Sequence, residues 1–136
     1  MADMTGTLKP AAWALLVAQL AHVVASFFGS ANADAPSSEG VVGLPLGLLA
    51  IAANVVVLVG LSRGRSWAPR YTALVGFAVA AGFVVYHGLP FHSWATNPYL
   101  GTGANLVDWA GVFVCVASGF WCAWAGFPRR AAASAS

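Results

Sequence analysis

Residues 41–61 read VVGLPLGLLAIAANVVVLVGL, an apolar run that holds no Lys, Arg, Asp or Glu and in which Asn54 is the one strongly polar side chain. At 1.5 Å per residue a helix of this length spans about 30 Å, the thickness of a bilayer's hydrocarbon core. Runs of the same kind lie on either side, at 11–28, 72–89 and 106–127. Asp108, near the start of the last run, is the only carboxylate in the four, and none of them carries Lys or Arg. In hydrocarbon no water is at hand to bond backbone N–H and C=O groups, so a spanning segment must satisfy them internally, as a continuous helix does. The expected fold is therefore an all-α integral membrane protein, with residues 1–136 forming a single domain of four transmembrane helices.

Composition supports the same class. Of the 136 residues, 60% are hydrophobic and 7% charged, whereas soluble domains carry roughly 25% charged residues. A solvated surface cannot be built from so few charges. The segments between the runs are short and rich in Gly, Pro, Ser and Asn, so successive helices are expected to be antiparallel neighbours in one bundle. The first run invites a competing interpretation, because Lys9, an apolar stretch and then Ala31-Asn32-Ala33 before Asp34 have the order of a cleavable signal peptide. The stretch is longer than the usual apolar region of such a peptide, and it is read as a retained span.

Basic residues set the expected orientation, since Lys and Arg in short loops resist translocation. Lys9 precedes the first run, Arg63, Arg65 and Arg70 lie between the second and third, and Arg129 and Arg130 follow the fourth. All six fall on one side, while the opposite connections hold Asp34 and Glu39 and no Lys or Arg. The expectation is a multi-pass protein of the cell membrane with both termini and the Arg-rich loop cytoplasmic. Trp13, Trp67, Trp121 and Trp124 then belong to the cytoplasmic interface and Trp94 and Trp109 to the outer one. This sorting accounts for the net charge of +2. No basic stripe interleaved with stacking aromatics is present, so the expected partners are lipid and other membrane helices, not nucleic acid.

Two helix starts are marked. Pro45 suits the first helical position, where its missing N–H costs nothing. Asn105 suits an N-cap, with Asp108 three residues on completing a capping box and placing a carboxylate at the positive end of the helix.

Helices in lipid approach closely where side chains are small. One such stripe in the first run holds Ala14 and Ala18 and continues to His22 and Ser26. The third run has Gly76 and Ala80 with His87 on the same face; the fourth has Gly111, Cys115 and Gly119, with Asp108 one turn before. His22, His87 and Asp108 thus share packing faces and fall in the outer half of the bundle, beneath a loop bearing His92, Asn97 and Tyr99. Intramembrane ionisable groups face the bundle interior and mark sites, because exposing them to lipid costs several kcal/mol. Two imidazoles and a carboxylate are a donor set for a divalent metal such as zinc, or for acid–base chemistry. No HxxxH or HxxE spacing accompanies them. The plainer alternative is a His–Asp hydrogen bond that glues helices together. A bis-His haem is disfavoured by the different depths of His22 and His87.

Gln19 and Asn54 are expected to bond neighbouring helices, or to line a pathway in a minimal oligomeric transporter or channel. Cys115 and Cys122 are about 10 Å apart along one helix, too far for a disulfide. No nucleophile elbow, glycine-rich phosphate loop or CxxC pair occurs. The expected function is non-enzymatic, exerted through helix packing as an accessory subunit or homo-oligomer. An outward-facing metal-binding or acid–base enzyme using His22, His87 and Asp108 is the alternative.

Overall fold

A computed structural model of the chain describes residues 5–28, 42–90, 93, 96, 98–100 and 104–127. Among the described residues four helices make up the fold: α1 Thr5–Phe28, α2 Leu44–Ser62, α3 Ala68–Gly88 and α4 Leu106–Gly126. All four are long and apolar enough to cross a membrane.

The helices start where local chemistry permits, and three of the four starts differ from those of the apolar runs. α1 begins at Thr5 and carries Pro10 inside it. A proline there removes one backbone bond to the residue four before it, which is Gly6, and Gly6 is exposed. Buried Leu8, at 3% exposure, anchors this added stretch to the core. α3 begins at Ala68 with Pro69 in its first turn, so Arg70 belongs to the helix and not to the loop. Pro45 sits at the second position of α2, after Gly43 and Leu44. α4 opens on the capping box: the Asn105 side chain accepts from the backbone N–H groups of Val107 (2.8 Å) and Asp108 (3.2 Å), and the Asp108 carboxylate accepts from the Asn105 N–H at 2.9 Å.

α2 ends in a Schellman turn. The N–H of Arg65 donates to the Gly60 carbonyl at 2.9 Å and that of Gly64 to the Leu61 carbonyl at 3.3 Å. Gly64 takes φ +61°, a left-handed conformation that a Cβ would penalise. The chain then re-enters a helix within a few residues.

Packing is uneven. α3 makes its most extensive contact with α4, α4 packs next on α1, and α2 touches only α1 and α3. The α3–α4 seam is glycine against backbone. A Cβ on Gly119 would stand 2.7 Å from the Gly76 carbonyl oxygen, and one on Gly76 would stand 2.5 Å from the Gly119 carbonyl oxygen. Further along, a Cβ on Gly126 would stand 2.7 Å from the Ala73 nitrogen. Residue numbers rise along α4 as they fall along α3. α1 buries Leu8, Ala11, Ala12, Leu15, Ala18 and Gln19, an i, i+3/i+4 face, and turns Trp13, Val17 and Val24 outward. Its inner residues join one cluster with Val79 and Cys122 and another with Val57 and Leu58.

Polar groups inside the spans bond locally. Thr72 Oγ1 donates to the Ala68 carbonyl and Ser118 Oγ to the Val114 carbonyl. Between α1 and α2, Asn54 Nδ2 donates to the Ala12 carbonyl at 3.1 Å and to Gln19 Oε1 at 3.2 Å. Both amides are buried, and among the described residues Gln19 Nε2 has no partner.

Candidate functional site

His87 closes α3 and is only 2% exposed. It sits at the centre of an aromatic cluster. The Tyr99 ring lies 4.1 Å from it, Tyr86 4.9 Å, His22 5.3 Å and Phe83 5.7 Å. Tyr99 is fixed there because its N–H donates to the His87 carbonyl at 3.1 Å, so the chain after α3 folds back over the helix end. Tyr99 also meets Trp109 edge-on at 5.6 Å, tying this loop to α4. Ser93 and Thr96 pair through their backbones and through a 2.8 Å contact between hydroxyl oxygens.

His22 reaches the cluster from α1. Its ring meets Phe83 edge-on at 4.7 Å, and α4 admits it because Gly111 has no side chain: a Cβ there would stand 3.0 Å from His22 Nδ1. Asp108 is buried at 6% exposure and stands one turn before Gly111, the residue against which His22 lies. The structure thus brings His22 and His87 into ring contact with Asp108 nearby, the carboxylate also serving as the cap of α4.

Among the described residues no group of three His, Cys, Asp or Glu side chains is placed to hold a metal ion. His92 and Asn97, expected in the loop over the pocket, lie outside the described residues, as do Trp94 and the Ser26 side chain. Of the small residues picked out by spacing, Ala18, Gly76, Ala80, Cys115 and Gly119 are buried, and Ala14 and Gly111 are half-buried. Gly76 and Gly119 meet each other, Ala80 lies beside Gly119, Gly111 faces His22, and Ala14 is on the shoulder of a face centred on Ala11, Leu15 and Ala18. Tyr86 and Phe83, which surround His87 from one helical turn, escaped notice because an aromatic in an apolar run carries no spacing signal.

The second feature is a groove of about 460 Å³ between α2 and α3. Its walls are mostly small or aliphatic, with Gly47, Ala50 and Ala53 on α2 facing Ala78 and Gly82 on α3. Its polar side chains, Tyr86 and His87, stand together at the end where α3 stops. A Cβ on Gly82 would meet nothing within 4 Å, so this wall is open space.

With four apolar helices of spanning length, the chain is of the multi-pass membrane class. No protein-family model, curated protein or solved structure matches it.

The cap role of Asp108 gives a measurable expectation. Asp108→Asn keeps an oxygen that can accept from the Asn105 N–H, so the loss in thermal stability in detergent should correspond to no more than about 2 kcal/mol. A loss twice as large would mean that the negative charge holds His22 as well as the helix end.

Proposed function

We propose that the protein is a non-enzymatic component of the cell membrane that works through helix packing, as a homo-oligomer or as an accessory subunit of a larger membrane complex. The groove between α2 and α3 carries this reading. Association of helices in lipid depends on close approach and dispersion contact, and it uses small residues to obtain them. Inside the molecule that device is spent on the α3–α4 seam. In the groove the same kind of residue, Ala53, Ala78 and Gly82 among them, faces outward with nothing packed on it in the single chain.

The helices form an antiparallel bundle, with both termini and the Arg63 to Arg70 segment on the cytoplasmic side. Supporting this are the opposed numbering along the α3–α4 seam, the tight turn after α2 and the one-sided distribution of all six Lys and Arg residues. The His22–His87 cluster is then at the outer end.

The test uses protein lacking its native cysteines, with Ala78→Cys as the reporter. Oxidation in membranes should give a disulfide-linked dimer if the partner is a second copy, and Gly82→Leu should reduce its yield several-fold by filling the groove without disturbing the fold. For an accessory subunit, Gly82→Leu should instead release the partner that co-purifies with the wild type. If neither a dimer nor a partner depends on Gly82, the packing function is wrong.

One observation favours a second reading, metal-binding or acid–base chemistry at His22, His87 and Asp108: two imidazoles in ring contact, with His22 lying against Gly111 one turn beyond Asp108, although among the described residues no three side chains are placed to hold an ion without moving. Ligation requires neutral imidazoles and an ionised carboxylate around one ion, so affinity should fall as the pH drops. Elemental analysis after chelator-free purification decides it. The packing reading expects metal-free protein, and stoichiometric zinc that disappears in His87→Ala would favour the alternative.

A further inference from the structure

At the opposite end of α2 from His87, a cleft of about 190 Å³ runs along the helix and ends at the turn into α3. Its inner part is apolar, formed by Val55, Val56 and Val59, all of them exposed. Its mouth is formed by Arg63 and Arg65, and the Trp67 ring makes a side wall. The turn fixes these groups. Arg65 is held by its N–H bond to the Gly60 carbonyl, and Trp67 lies so close over Gly60 that a Cβ there would stand 2.5 Å from its ring. Asp108, the one carboxylate among the described residues, is engaged at the start of α4, so no described acidic group neutralises the two guanidiniums.

We propose that this cleft binds an anionic phospholipid, with the phosphate between Arg63 and Arg65, the glycerol region against Trp67 and the start of one acyl chain along Val59, Val56 and Val55. Guanidinium groups bond phosphate oxygens in a bidentate fork, and a Trp ring suits the boundary between headgroup and hydrocarbon. Sorting of charge across the membrane accounts for arginines on this side, but it needs neither a cleft nor a pair at its mouth. Arg70 makes the distinction: it is exposed on the first turn of α3, carries the same charge and does not line the cleft. The proposal rests on α2 lying in a bilayer and is independent of what the α2–α3 groove binds.

Native mass spectrometry of the full-length protein, released from micelles containing equal amounts of phosphatidylglycerol and phosphatidylcholine, tests it. One phosphatidylglycerol should be retained in preference to phosphatidylcholine. The double variant Arg63→Gln, Arg65→Gln should lower that retention by about tenfold or more, since each base near a membrane surface contributes roughly a factor of five. Arg70→Gln should stay within about a factor of two of wild type, below what an equal share of diffuse attraction would give. Trp67→Leu, which leaves both charges in place, should weaken retention several-fold. Equal retention of the two lipids, or an Arg70→Gln loss matching that of the double variant, overturns the site. Displacement of the lipid by inorganic phosphate overturns it too, because a free anion would then occupy the mouth without a chain. All the substituted side chains are exposed, and thermal melts in phosphatidylcholine micelles should show each variant folded.

Discussion

Gly119→Leu is expected to abolish the cooperative thermal unfolding of the protein in detergent, because α3 and α4 can no longer meet. Even one methyl is too many at this position: its carbon would stand 2.7 Å from the Gly76 carbonyl oxygen and 3.1 Å from the Ala80 nitrogen, and both are backbone atoms. Overpacking in a core that can shift typically costs about 1–3 kcal/mol. Here no flexible side chain is available to move, so the helices must separate along the most extensive interface in the molecule, forfeiting its dispersion contacts. Gly119→Ala should already lower the melting temperature, by an amount corresponding to about 1–3 kcal/mol, and Gly76→Leu should behave like Gly119→Leu. Gly82→Leu provides the control, since a Cβ there meets nothing within 4 Å. Equal melting temperatures for Gly82→Leu and Gly119→Leu would show that the seam contributes nothing particular to stability.

A second large effect is expected from topology, where the outcome is close to all or none. With Cys115 and Cys122 replaced by alanine, single cysteines are placed at Ser38, Ser66 and Leu100. Ser66 and Leu100 are both exposed, at opposite ends of α3. An impermeant thiol reagent added to intact cells should label the cysteines at positions 38 and 100, and should reach position 66 only after the cells are opened. Labelling at 66 alone would invert the protein, moving the histidine cluster to the cytoplasmic end and the arginine cleft to the outer one.

The spans were legible because a bilayer admits one solution for a long apolar run, a continuous helix. Their starts were less so. The apolar runs begin only after Pro10 and Pro69, yet both prolines lie within helices, Pro69 in a first turn where no N–H is needed and Pro10 where an exposed Gly6 tolerates the lost bond. The start of α4 could be read directly, since Asn105 and Asp108 have the spacing of a reciprocal cap. His22 and His87 could be placed on packing faces from the small residues above and below them. What lay beyond the sequence was lateral: which helix faces which. The direct bond between Gln19 and Asn54, the seating of His22 on Gly111 and the gap between α2 and α3 depend on rotations about helix axes. In uniformly apolar helices these rotations leave little periodic trace. The Ala and Gly residues lining the gap have the same spacing as those of the tight seam, and the sequence offers nothing to tell a filled contact from an open one.

The uneven packing also divides the molecule mechanically. α1, α4 and α3 form a continuous three-helix body, while α2 resembles a leaf hinged at its edge. At the hinge, the Schellman turn and the Trp67 ring on Gly60 fix the Ser62 end. Halfway along, the amide of Asn54 acts as a latch on α1, and latches of this kind in membranes hold with only about 1 kcal/mol. At the other end Tyr86 packs directly on Gly43, where a Cβ would stand 2.6 Å from its hydroxyl oxygen, while a Cβ on Gly47 would only just reach Val23, at 3.9 Å. Swinging this leaf outward would widen the groove and leave the glycine seam intact, at the cost of the Asn54 latch and of the apolar contacts of Val57 and Leu58 with Ala12 and Leu16. Amide exchange in α2 should then outpace that in α3 and α4, as expected of the segment with the lowest local free energy of opening.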